Sequence, residues 1–210
     1  MAARRLISEG TEAFLRGDNP AALAAFDAAL SADDAGVGPR LWQRGISLYY
    51  ADRFDDGSAQ FRRDVAENPN DAEEALWAWL CEARRGAAGA GPAAASRRLP
   101  RTGRDPRPVV RAALAAVGGG APGAPDAAPD DARPAPDAAS AAARVLRAAR
   151  PGDEGDRFYA LLYAGLLSEA HGDEEGARRY IGEAADSPYG RASPDYMTAV
   201  ARVHRATRGW

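Results

Sequence analysis

LWQRGISLYYADRFDDGSAQF, residues 41–61, holds two helix-like runs separated by a short polar break at Asp52-Arg53-Phe54. Its aromatics, arginines and carboxylates admit two readings: a reactive cluster, or one helix held against another. Spacing decides between them. Gly45 and Phe61 recur 35 residues earlier as Gly10 and Phe26, and Leu41 and Asp64 have Leu6 and Ala29 at the same offset. That period belongs to a helical hairpin repeated along a chain. The first unit is predicted as helices over 3–16 and 20–31 around the turn Gly17-Asp18-Asn19-Pro20. Helices over 39–51 and 55–67 make the second, closed by Asn68-Pro69-Asn70-Asp71. Glycine weakens a helix by about 1 kcal/mol, so Gly10 and Gly45 are expected where paired helices approach closely. Leu41, Leu48 and Phe61 then face the neighbouring helix, while Trp42, Ile46, Tyr49 and Tyr50 wrap the remaining surface. Arg62, Arg63 and Asp64 are expected to form exposed charge pairs. The stretch reads as packing plus a contact face.

A third unit appears in FYALLYAGLLSEAHGDEEGARRYIGEAA, residues 158–185, where Gly165, Ala177, Ile181 and Ala184 repeat the spacing of Gly45, Gly57, Phe61 and Asp64. The interval from Gly45 to Gly165 is not a whole number of 34-residue steps, so the middle is irregular. Further helices are predicted over 72–85, 108–117 and 137–150, with one over 191–208 whose stripe of Tyr196, Val200 and Val203 caps the array. Trp77 and Trp79 cannot share one helical face, so one is expected in the core and the other at an edge. GRDPRP, residues 103–108, reads as a turn braced by salt bridges among Arg104, Asp105 and Arg107, with anion binding as the alternative. Residues 118–137, rich in Gly, Ala, Pro and Asp, are expected to be a mobile loop. The expected fold is one all-α domain: repeat units at 3–34 and 35–71, divergent helices at 72–117, the loop, a helix with a late hairpin at 138–188, and the cap.

Bulk composition narrows the function. A net charge of −3 over 210 residues gives no general attraction to nucleic acid. All 27 cationic side chains are arginine and alanine is about a quarter of the chain, a bias that reads as GC-rich coding. Cys81 stands alone, which excludes an internal disulfide framework and a thiolate zinc site, and is expected to pack as a small apolar residue. No window of 18 apolar residues occurs, so stable membrane insertion is not expected, nor is a secreted form.

Little in the sequence points to chemistry. His171, in the turn AHGD, reads as a surface or C-cap residue and His204 as a helix-surface or interface residue; neither has metal-ligand spacing. Asp18, Asp55, Asp71, Glu73 and Asp173 fall at helix starts, where they satisfy backbone donors or oppose the helix dipole. GAAGAGPAAA, residues 86–95, lacks the lysine and preceding strand of a phosphate loop and reads as a linker or frayed turn. No catalytic residue, cofactor or metal is therefore expected.

These residues resemble the tetratricopeptide repeat. Its small first-helix position matches Gly10, Gly45 and Gly165, and its small second-helix position matches Ala22, Gly57 and Ala177. The large position that follows matches Phe26, Phe61 and Ile181, and Pro69 matches the closing proline. The first unit has Asp34 at the proline position, and the last has Pro188 one place early. LWQRGISLYYADRF, GRDPRPVVRAAL and SPYG followed by DYM are similar to tetratricopeptide-like proteins of plants and algae, often plastid-targeted. More distantly, 41–80 and 156–188 are similar to a bacterial outer-membrane lipoprotein that serves as adaptor for a periplasmic protease. The resemblance covers most of 5–85 and 156–210 and omits 118–140. It implies a right-handed superhelix of antiparallel hairpins, a protein partner and a chloroplast address; the form of the chain in hand, with no convincing presequence, otherwise suggests a soluble intracellular protein. The lipoprotein's modified cysteine and signal peptide have no counterpart. Where chaperone-tail-binding members carry basic and asparagine side chains, this chain has Ile7, Thr11, Trp42 and Ile46, so their carboxylate clamp is absent.

The leading expectation is a non-enzymatic scaffold or adaptor holding a peptide or protein on its concave face. Phe14, Trp42, Ile46, Tyr49 and Tyr50 are the candidate anchors, with Arg53 and Arg62 at the rim. The alternative is a homo-oligomer or structural subunit with no free groove. Whether Trp42, Ile46, Tyr49 and Tyr50 line an open groove or are covered by residues 137–150 bears on the choice.

Overall fold

A computed structural model describes residues 2–32, 36, 38–85, 91–118 and 137–210. Among them the regular structure is entirely helical. Helices α1 (Ala2–Leu15) and α2 (Asn19–Ser31) form the first hairpin, and α3 (Trp42–Tyr50) and α4 (Phe54–Glu67) the second. Then come α5 (Glu73–Arg84), α6 (Pro92–Ser96), α7 (Pro108–Ala116) and α8 (Ala138–Leu146). The late hairpin is α9 (Glu154–Ala170) and α10 (Glu174–Asp186), followed by α11 (Pro188–Ala192) and α12 (Tyr196–Arg208). Consecutive helices pack on one another through most of this order, and α12 turns back against α10 and α1. No helix among the described residues is long and apolar enough to cross a membrane. All but the two ends of the loop expected at 118–137 lie outside the described residues.

The glycine reading holds in three places. A Cβ on Gly10 would lie 2.7 Å from the Phe26 ring, one on Gly45 2.6 Å from Phe61, and one on Gly165 2.6 Å from Ile181. Each large residue sits 16 positions after its glycine and fills the space the missing side chain leaves. Asp18, Asp153 and Asp173 cap the following helices, each accepting from a backbone N–H three residues on.

Burial departs from expectation along α5, where every residue from Ala75 to Ala83 is buried. Trp77 and Trp79 are therefore both interior. Trp77 stacks on Phe61, and Trp79 donates to Ser96 Oγ at 3.1 Å while packing on His171. A helix apolar all round is covered all round, here by α4, α6, α7 and α9. Cys81 fills the space beside Gly57; burial, with the charge of Glu82 beside it, raises its thiol pKa and keeps it protonated.

Two helix boundaries and one surface expectation need correction, and the helix expected over 137–150 ends at Leu146. The helix expected over 191–208 is divided, because Pro194 forces Ser193 into extended geometry and Asp195 starts a new helix. The charge pairs expected at 62–64 are only partly exposed. Arg62 reaches the buried Glu82 at 2.6 Å, and Asp64 is itself buried, hydrogen-bonded to Gln60. The GRDPRP brace exists and reaches further than its own turn. Arg107 binds Asp105 at 2.7 Å, Asp71 at 2.6 Å and Glu73, tying the start of α7 to the start of α5.

Candidate functional site

Helix α12, rather than residues 137–150, covers one side of the first two hairpins. Phe14 is fully buried and stacks on Tyr196, with ring centroids 4.8 Å apart. Tyr50 packs edge-on against His204, and its hydroxyl lies 3.4 Å from the Val200 carbonyl and 3.2 Å from His204 Nδ1. Tyr49 donates to Glu169 Oε2 at 3.0 Å and accepts from Arg84 at 3.2 Å. Ile46 is also buried. The expectation that Phe14, Ile46, Tyr49 and Tyr50 are exposed anchors is therefore corrected: all four are buried, Phe14 and Tyr50 against α12 and Tyr49 between Glu169 of α9 and Arg84 of α5. Arg53 stays exposed on an ion pair with Asp56 at 2.7 Å, with Asp27 at 3.7 Å. Arg62 lines a separate open depression of about 480 Å³ with Glu82 and Arg98. Trp42 remains half-buried, its ring meeting Tyr196 edge-on at 5.1 Å.

His171 caps α9 as expected, its Nδ1 2.8 Å from the Leu167 carbonyl. His204 is instead fully buried, between Tyr50 and Trp210, with Nε2 3.6 Å from Glu169. Burial pushes its pKa down to about 4 despite Glu169, so the ring is neutral near pH 7. Burial works to raise the Glu169 carboxyl, but the facing groups, notably Arg84 at 2.6 Å and Arg208 at 2.5 Å, hold it below the ordinary value. Aromatic rings fill the space around this pair, and it borders neither described cavity. It reads as a pin fastening α12 to α5 and α9.

A smaller cleft of about 250 Å³ lies beside that seam. Trp42 and Ile46, four apart on α3, supply one wall, and Phe61 of α4 and Trp77 of α5 another. Its acids come from chain entries: Asp71, Glu73 and Glu74 where α5 begins, and Asp195 where α12 begins. Helix starts favour such residues for their own sake, which is why the sequence disguised them. Tyr159 and Tyr196 close the far side, and Arg107 enters from α7. Asp195 is fixed by hydroxyls of Tyr159 at 2.7 Å and Tyr189 at 2.9 Å while it caps Met197. Glu73 is held by Tyr163 and Arg107. Burial, with Asp71 beside it, pushes Glu74 up to about 9. Glu74 Oε2 and Trp77 Nε1 are buried without a hydrogen-bond partner. Of the candidate contact residues Phe14, Trp42, Ile46, Tyr49, Tyr50, Arg53 and Arg62, this cleft brings together Trp42 and Ile46.

Among the described residues no cluster of three or more His, Cys, Asp or Glu side chains is placed to hold a metal ion. Compared with models of protein families, with curated proteins and with solved structures, the chain has no match.

Proposed function

We propose that this protein is a non-enzymatic scaffold or adaptor, a tetratricopeptide-like right-handed superhelix that holds a polypeptide partner at the cleft beside α12. The observation that carries this reading is the cleft itself: aromatic walls drawn from α3, α5, α9 and α12, with Trp42 only half-buried among them. Tryptophan and tyrosine in pockets are enriched among the side chains that anchor interfaces. Phe14 and Tyr50 on the first two hairpins are already covered by α12, which favours a partner that meets the array where α12 joins it.

The test places a photo-reactive benzoylphenylalanine at Trp42, an aromatic-for-aromatic exchange, and irradiates cells of the native organism. Adducts mapped to a defined segment of a different protein support the reading. Adducts joining copies of this chain identify a self-assembling subunit and overturn it, as does a folded protein that forms none.

A further inference from the structure

Two unmet needs share one face of α5. Glu74 and Trp77 are three residues apart and so neighbours on the helix surface. The Glu74 carboxyl is hydrogen-bonded to Asp71 but leaves Oε2 without a partner, and Trp77, 2% exposed, has no acceptor for its indole N–H. Buried polar groups normally find partners, so two adjacent exceptions on the walls of a cavity mark a place for one. The charge of the surroundings says which kind. Asp71, Glu73 and Asp195 also line the cleft, and Arg107 is the one cation among its described walls. That guanidinium is already engaged by Asp71, Glu73 and Asp105. Carboxylate charge thus exceeds cationic charge in a partly enclosed space, and Trp42, Tyr159 and Tyr196 add the aromatic rings that attract organic cations.

We infer that, in the binding role proposed above, the cleft seats an arginine or lysine side chain of the partner, its cationic head among Asp71, Glu74 and Asp195 and a backbone carbonyl accepting from Trp77 Nε1. A free amine offers the cation but no acceptor; a residue within a peptide brings both. The inference rests on the polypeptide-binding reading, and it fails separately from it.

The experiment titrates the full chain with N-acetyl-arginine amide, with its neutral isostere N-acetyl-citrulline amide, and with putrescine, following the indole N–H signals of Trp42 and Trp77 by NMR. The arginine probe is expected to shift both signals saturably, the citrulline probe to bind at least about tenfold more weakly, and Glu74→Gln to weaken arginine binding by about tenfold or more. E74Q replaces a desolvated, protonated carboxyl with a neutral amide of similar shape and is expected to fold; its unfolding curve verifies that. Calorimetry in buffers of different ionisation heat adds a readout that a merely structural role would not move. The other titratable or charged groups lining the cleft are Asp71, Glu73, Arg107, Tyr159, Asp195 and Tyr196. Since burial and Asp71 push Glu74 up to about 9, arginine binding at pH 7.5 is expected to release up to about one proton from wild type and none from E74Q. Equal binding of arginine and citrulline, absence of saturation, or unaltered binding by folded E74Q overturns the inference. Putrescine binding far more tightly than the arginine probe keeps the cation site but overturns the peptide source. A photo-adduct with a foreign protein alongside failure of the arginine probe leaves the adaptor reading standing and removes its cationic specificity.

Discussion

Replacing Gly45 with alanine tests the close approach on which the hairpins depend. The added Cβ lands 2.6 Å from the edge of the Phe61 ring and 2.8 Å from two further ring atoms, well inside contact distance. The ring has little room to retreat, being fully buried and stacked on Trp77 with centroids 5.9 Å apart. Overpacking of this sort costs about 1–3 kcal/mol, while exchanging glycine for alanine within a helix returns roughly 1 kcal/mol. The steric effect wins where the ring is fixed, so G45A is expected to lose up to about 2 kcal/mol. Gly182, in α10, supplies the control, because a Cβ there meets nothing within 4 Å; Gly182→Ala is expected to gain up to about 1 kcal/mol from propensity alone. Urea unfolding of both variants reads the difference, with the midpoint moving at constant slope. The double variant Gly45→Ala/Phe61→Leu should recover part of the loss by opening space. If G45A proves as stable as G182A, the glycine–phenylalanine packing is refuted, and with it the argument for Gly10 and Gly165.

Other perturbations probe what holds the array and its cleft. Arg107→Ala leaves Asp105, whose side chain is fully buried, with Asp71 and Glu73 stripped of their shared cation, and is expected to cost about 3–5 kcal/mol; a loss under 1 kcal/mol in denaturant would place the brace at the surface. Burial lifts Asp64 to about 7, and burial with Asp71 lifts Glu74 to about 9, so both contribute stability that is full below their unfolded values near 4 and lost as pH rises through the folded values. Asp64→Asn should accordingly gain on wild type between pH 4 and pH 7, and Glu74→Gln between pH 4 and pH 9, in paired melting curves, and parallel curves would contradict the shifts. Asp105 has the opposite sign: burial raises it, yet its bonds to Arg107 outweigh burial and hold it low. Its contribution is present above the ordinary carboxylate value and lost as pH falls through the folded one. Tyr196→Ala removes the stack on Phe14 and the edge contact with Trp42, with an expected loss of about 2–4 kcal/mol and a red shift in tryptophan emission; unchanged emission would argue against α12 covering the first two hairpins.

The hairpins were legible because a glycine and a large apolar residue 16 positions later form a local pair, and such contacts leave a fixed interval in the sequence. The brace in GRDPRP was legible in part: Asp105 and Arg107 are neighbours, while Asp71 and Glu73 come from another helix entry. Contacts with no fixed interval stayed hidden. The stripe of Tyr196, Val200 and Val203 announced a buried face but not that it would lie on Phe14 and Tyr50, and nothing local foretold that Trp79 would be covered from outside α5. His204 looked like a surface residue because its partners, Tyr50, Glu169 and Trp210, converge only in the fold. The cleft's acids were the hardest to see, since a carboxylate at a helix start already has a reason to be there. What sets Glu74 apart is a partnerless oxygen beside a partnerless indole, a fact of three dimensions.

The central claim, that the cleft at Glu74 and Trp77 captures a polypeptide through a cationic side chain, is tested most directly by selecting random peptides on the intact protein with E74Q as the counter-selection. Peptides enriched on wild type are predicted to share an arginine or lysine and to compete with N-acetyl-arginine amide. Enrichment of acidic or wholly apolar peptides, or equal selection on E74Q, would contradict it.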